Sequence, residues 1–302
     1  MNSLLKSVYY LLKPQRLHPG MRLKMGYIFH TEAIHDSTYW PLLKKFCMEY
    51  RSVTGVQPIC AVMTPVNARI AKQMKACGCS EQEYVVRVRE LETMAVIGHH
   101  GHYYKDPAHY AIPEGEVKKE NYDDTCLTEQ FHNDRKWFRE NSINHNGLYA
   151  SGWWFMHRNL VDLLIAERYR VDFSFTQSPV FGHQWSKGVM RKGSICFGEP
   201  FRLKSEKGTI TLIQNLIGCH NTPFVADFTR HINALFNPER PTVVGVVNTH
   251  DFNLGTNYDF TFKVLRDVVG LQNVSFWGRS EIERIVRSDE LTTIKVGATG
   301  DT

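Results

Sequence analysis

Three imidazoles crowd into the run Gly98-His99-His100-Gly101-His102-Tyr103. Neutral imidazole is a favoured ligand for zinc and related ions, and three protein ligands with one position left open make a catalytic metal site. A carboxylate that could complete the set stands in Phe29-His30-Thr31-Glu32, where His30 and Glu32 are two residues apart and so share one side of a strand. Glu32, His100 and His102 are therefore the candidate metal ligands, with His99 an alternative to either imidazole. Such a site acidifies a water and polarises a carbonyl. His30 and Glu32 can equally act as acid and base, so which of the two is ligand and which is base stays open.

A third group of the same kind is Val247-Asn248-Thr249-His250-Asp251. His250 there is the natural general acid for a leaving amine, provided a carboxylate orients it. Asp172 lies inside an apolar run, where an unpaired carboxylate is costly; it either makes a structural hydrogen bond or orients a catalytic histidine. Trp153 and Trp154 could form a wall on which a sugar stacks, as could a packed core. Tyr103 and Asn248, beside the histidines, are further candidate substrate contacts.

All three groups follow short apolar, β-rich runs. Such runs recur at 25–29, 56–62, 94–97, 171–175, 209–213, 243–247 and 274–277, with helical patterns at 39–54, 67–77, 158–168, 224–235 and 280–287 between them. That alternation predicts a parallel sheet or barrel, whose active sites gather at the C-terminal ends of the strands. Segments 105–125 and 181–201 break the pattern and read as long loops over the pocket. The expected unit is a single domain over 1–302, with an N-terminal helix or extension over 1–24 and a flexible tail over 296–302.

The 302 residues are 42% hydrophobic and 22% charged, enough for a large core. A net charge of +5, with its Lys and Arg spread along the chain, argues against nucleic acid as partner. No stretch approaches the roughly 20 apolar residues of a membrane span, and Lys6 interrupts the first apolar run, which makes it a poor signal peptide. Seven cysteines, an odd number without paired spacing, suit a reducing compartment.

In order and spacing these motifs resemble the polysaccharide deacetylase family with NodB-type homology, across residues 25–290. The resemblance rests on Phe29-His30-Thr31-Glu32, Gly98-His99-His100-Gly101-His102, Ser151-Gly152-Trp153 with Asp172-Phe173-Ser174, and Val247 to His250. It departs from the family pattern in three places. The second metal histidine would fall at Tyr104, so His102 stands in; His30 and Glu32 replace two aspartates; and Tyr149 or Ala150 replaces an arginine. The resemblance implies an irregular (β/α)7-type barrel and metal-dependent, usually zinc-dependent, removal of an N-acyl group from an amino sugar. In that scheme an acid of the first motif is the base, the remaining acid and two histidines bind the metal, and the last histidine is the general acid. The divergence is similar to that of the intracellular, WbmS-type branch found in surface-polysaccharide gene clusters. That implies a cytoplasmic enzyme of O-antigen-like biosynthesis acting on a free, nucleotide-linked or lipid-linked sugar, with formyl as plausible a leaving acyl group as acetyl. Two other readings share the motifs: a carbohydrate-binding barrel without catalysis, and an amidohydrolase of a non-sugar amide.

Overall fold

The computed structural model describes residues 16–103, 124–176, 189, 197–218 and 225–296, the side chains of Asp124 and Trp153 apart. Residues 1–15 of the expected N-terminal helix or extension, most of the two long loops and the tail after Val296 lie outside the described residues; the first strand begins at Arg22, inside the expected extension.

Among the described residues there are eleven strands and eight helices, the strands forming one sheet. They are β1 (Arg22–Thr31), β2 (Ile59–Val62), β3 (Val96–Gly101), β4 (Leu148–Ser151), β5 (Val171–Asp172), β6 (Phe201–Ser205), β7 (Gly208–Leu212), β8 (Asn215–Gly218), β9 (Thr242–His250), β10 (Val274–Phe276) and β11 (Thr293–Lys295). Their order is β11-β6-β7-β5-β4-β3-β2-β1-β9-β8, with β10 beside the start of β1. Every pairing is parallel except the β6–β7 hairpin. Eight helices accompany them: α1 (Tyr39–Thr54), α2 (Ala68–Cys77), α3 (Glu81–Leu91), α4 (Asp124–Glu140), α5 (Arg158–Ala166), α6 (Val225–Asn233), α7 (Leu254–Val269) and α8 (Arg279–Arg287).

The ladder does not close on itself. β7 pairs with β5 while β8, which follows it after Ile213 and Gln214, pairs with β9, so the chain itself carries the circuit across the gap. An isolated bridge between Thr176 and Asn215 adds one contact there. Seven strand positions result, matching the expected barrel type. Their composition differs from the sequence expectation: β10 is a short strand below the ring, and β4 takes the seventh place. β4 spans only four residues between Gly147, in the left-handed region at φ 66°, and Gly152, too short for its alternation to register.

Strand periodicity divides the core in two. Ile28, Ala61, Val96, Leu148, Val171, Phe173 and Val246 fill the interior of the ring. Their chain neighbours, such as Tyr27, Phe29, Cys60, Ile97 and Val247, pack outward against the helices. One position closes the floor: Gly26 lies where any Cβ would collide with the Trp277 ring, so the indole plugs the base of the barrel.

Candidate metal centre

The interior column does not stay apolar to the top. Two residues beyond Ile28 comes His30, and two beyond Val246 and Asn248 comes His250, the two histidines being partners in the β1–β9 register. On β3 the alternation turns His100 inward and His99 outward. Glu32 follows the end of β1 and His102 the end of β3, so all five groups meet at the C-terminal rim of the strands.

Glu32 Oε1 lies 3.2 Å from His100 Nε2 and 3.3 Å from His102 Nε2, and the two imidazole nitrogens are 3.1 Å apart. These three side chains are the group among the described residues whose donor atoms could hold a metal ion. The donor chemistry fits a cation. His100 Nδ1 lies 2.8 Å from the carbonyl of Ala150, which can only accept, so Nδ1 carries a hydrogen there and Nε2 is the atom turned toward Glu32 and His102. Burial, only partly offset by Glu32, lowers His102 to about 4, so its ring is neutral at ordinary pH. Glu32 is held well below the usual carboxylate range. Burial pushes it up, but His102 and then His100 and His250 more than reverse this. A buried carboxylate and two imidazole nitrogens at these distances form a group that could hold a divalent ion.

The surroundings fix the ligands. Gly152 sits so close under His102 that an added Cβ would enter the imidazole ring. Asn67 caps α2, accepting from Arg69 N at 3.0 Å, and its Nδ2 donates to the His102 carbonyl at 3.2 Å. Asp251 accepts from the backbone N–H of Glu32 at 3.0 Å and of Ala33 at 2.8 Å, which pins the end of β1. The same burial raises the Asp251 carboxyl to about 7, against the pull of those N–H donors. Arg69 Nη1 lies 2.8 Å from the second oxygen of Glu32.

His250 Nε2 stands 3.6 Å from Glu32 Oε1, its ring stacked on Phe252 with centroids 4.7 Å apart. His30 is buried, with no partner for Nε2 among the described residues, and its ring stacks on His100 at 4.5 Å. Burial, then the neighbouring His100 and His250, hold its pKa well below the usual imidazole value. Trp154 borders His30 at 5.1 Å from a left-handed backbone, φ 55°, a strain of the sort held at functional sites. Asn248 lies below His250 on the inward side, fully buried, its Oδ1 without a partner among the described residues.

Other expected residues stand elsewhere. His99 faces the helices, with Nδ1 2.7 Å from the Tyr169 hydroxyl and Nε2 3.2 Å from Asp134 Oδ2, and so does not replace either imidazole ligand. Tyr103 is buried in the second hydrophobic cluster, its hydroxyl 3.4 Å from His99 Nε2, because the chain turns outward after His102. Asp172 accepts from Ser174 N at 2.8 Å and from the Ser174 hydroxyl, which itself accepts from Ser151 N, so it ties β5 to β4 rather than orienting a histidine. Trp153's side chain lies outside the described residues. Sequence reasoning passed over Arg69, Gly152 and the clamp made by Asp251. The signal for Asp251 was its place next to His250; for Arg69 it was a helix starting just after a strand's C-terminal end.

The fold and the centre together define an α/β barrel with, at its rim, a buried Glu/His/His group that could hold a metal ion. No family model and no curated protein matches the sequence. Among solved structures, the chain is similar to a protein described as a polysaccharide deacetylase from Mycobacterium smegmatis. The TM-score is 0.61 at 16% identity, covering 96% of this chain and 100% of that one. A 4-alpha-glucanotransferase from Thermococcus litoralis is similar at TM-score 0.54 and 12% identity, over 92% of this chain and 42% of that one. A protein described as a polysaccharide deacetylase involved in O-antigen biosynthesis, from Bordetella bronchiseptica, reaches TM-score 0.38 at 11% identity over 82% and 81%, too distant to carry weight. At such identities the likeness is one of fold. No helix among the described residues is long and apolar enough to cross a membrane.

Proposed function

We propose that this chain, acting as one catalytic domain, is a metal-dependent hydrolase that removes a formyl or acetyl group from the nitrogen of an amino sugar. The observation that carries the reading is the convergence of Glu32 Oε1, His100 Nε2 and His102 Nε2 within 3.3 Å of one another at the rim of a deacetylase-type barrel. A divalent cation held by these three, Zn2+ being the best match to the donor set, supplies a Lewis acid for the acyl carbonyl and an acidified water.

The protein's own groups divide the proton work. His30, neutral and with Nε2 unpaired, is placed to take a proton from the attacking water. His250, whose side chain keeps 22% of its surface exposed, reaches the rim from the neighbouring strand β9 and delivers a proton to the departing amine. Trp154 and Phe252 flank these two rings and offer faces for a sugar. Asn248 supplies a buried amide oxygen deeper on the same side.

The reaction suits surface-polysaccharide assembly, on a free, nucleotide-linked or lipid-linked sugar. A cytoplasmic setting suits Cys47, Cys60, Cys77, Cys79 and Cys126, none of which forms a disulfide among the described residues. The test is metal analysis of purified protein together with formate and acetate release from a panel of N-formylated and N-acetylated amino sugars. About one equivalent of metal, lost in His100→Ala, and acid release that needs it are expected. Metal-free protein, or acid release indifferent to His100→Ala, would overturn the reading.

A further inference from the structure

The roles above leave out Arg69, although its guanidinium touches the centre. Nη1 lies 2.8 Å from Glu32 Oε2, with the Arg69 side chain 29% exposed and the carboxylate 3%. The contact is an ion pair and is not aligned as a hydrogen bond, so its hold is coulombic.

Its place in the chain is unusual. Arg69 is the second residue of α2, directly after the Asn67 cap. A cation in the first turn of a helix works against the helix dipole. The compensating partner is Glu32, reached across from a different strand.

The pair also divides the two oxygens of Glu32. Oε1 faces His100 Nε2 at 3.2 Å, His102 Nε2 at 3.3 Å and His250 Nε2 at 3.6 Å, whereas Oε2 faces Arg69. A carboxylate can bind a metal through one oxygen or both. We infer that Arg69 is a positioning residue that holds Oε2 away from the ion and keeps Glu32 a one-oxygen ligand. A coordination position is thereby left for water or an acyl oxygen. This inference rests on the metal-hydrolase reading.

The inference predicts something a merely structural arginine would not. Removing a group that only supports the ligands typically weakens metal binding by about 10–100-fold. Removing one that restrains Oε2 lets both oxygens bind, so affinity is kept or increased while the coordination number rises.

Co2+ is the probe. Metal-free wild-type protein, Arg69→Ala and Arg69→Lys are titrated with it, reading the visible bands, which weaken as coordination number rises, and competing with a chelator for affinity. Arg69→Ala should show weakened bands with Co2+ affinity at or above that of wild type, and Arg69→Lys should restore the wild-type spectrum. Unchanged bands in Arg69→Ala, or a loss of affinity of about 10–100-fold, overturn the inference alone. Wild-type protein that takes up no Co2+ overturns the metal reading and this inference with it. Should Arg69→Ala fail to fold, Arg69→Gln, which lacks the charge but keeps most of the length, is held to the same outcomes.

Discussion

Replacing Gly152 by alanine adds one methyl group at the most crowded point of the centre. A Cβ there would meet His102 Cε1, Nε2 and Cδ2 well inside 3.0 Å, whereas ordinary contact is 3.4–4 Å. The obstruction is an imidazole packed against backbone, 6% exposed, and not the free end of a flexible chain. The ring must therefore retreat by roughly an ångström, and ligand distances tolerate only about 0.2 Å. Relief of the clash elsewhere is limited: His102 is tied through its carbonyl to Asn67, and Gly152 follows directly on β4, which pairs with β3. We expect metal affinity to fall by about 10–100-fold, and folding stability by about 1–3 kcal/mol from overpacking. Chelator competition gives the first quantity and urea unfolding of the metal-free protein the second. Gly270→Ala is the control, since its Cβ would meet nothing nearer than 3.5 Å. A Gly152→Ala protein that binds metal as tightly as wild type would refute the claim that His102 is a ligand held where the structure shows it.

His250→Ala should lower turnover by ~10²–10⁴-fold with metal content unchanged, the usual worth of a general acid; unchanged turnover removes His250 from the proton work. His30→Ala should cost turnover similarly without releasing metal, and metal loss in that variant would instead make His30 a ligand. Asp172, raised by burial to about 6 from 3.8, favours its protonated form in the fold. Its contribution is therefore full below pH 4 and falls by about 1.4 kcal/mol per unit as pH rises to about 6, roughly 3 kcal/mol in all. Asp172→Asn keeps an acceptor for Ser174 and should be the more stable protein above pH 6, by up to that amount, in urea unfolding from pH 4 to 8. An unchanged pH slope would show that the carboxyl titrates normally. Asp251→Asn can accept through only one of its two side-chain atoms, so the N–H of Glu32 or Ala33 loses its partner. Metal affinity measured by chelator competition should drop, and an unaltered value would free Glu32 from dependence on that clamp.

Legibility in the sequence followed local pattern. Period-two spacing placed His30 with Glu32 and His100 with His102 on shared sides, and the structure brings these together because both strands run parallel and end at one rim. The same alternation, applied one residue earlier, would have turned His99 outward. Tyr103 was misplaced because the strand ends at Gly101, after which period two no longer governs direction. Asp172 could be seen to need a partner, but Ser174 lay two residues away and satisfied it locally. Helices α3, α4 and α7 went unread; Glu81–Leu91 in particular is polar enough to pass for a surface segment. Arg69 and Asp251 act across the fold, meeting Glu32 from 37 and 219 residues away; a helix start after a strand end and the place beside His250 put them near the rim, but neither signal names Glu32 as the partner.

The barrel's interior also says why this rim should do chemistry. From the floor upward the inward residues run through Trp277, Ile28, Val246 and Phe173, apolar and closely packed. At the rim they become His30, Glu32, His100, His102 and Asn248, each under one-tenth exposed. His30 Nε2 and Asn248 Oδ1 have no partner there among the described residues. Burying such groups costs stability unless something satisfies them, and apolar side chains of similar volume would have continued the column below without that cost. Burying a carboxylate among three imidazoles is the costliest part of the arrangement, and a bound cation would offset the desolvation of that charge. Metal binding and folding should then be linked: an ion that binds only the folded chain stabilises it in proportion to RT ln(1 + [M]/Kd), about 2.7 kcal/mol at a hundredfold excess over Kd. Chelation should accordingly lower the unfolding midpoint of the wild type while leaving that of His100→Ala almost unmoved. Equal shifts in the two proteins would mean that the rim's polar groups are satisfied in some other way.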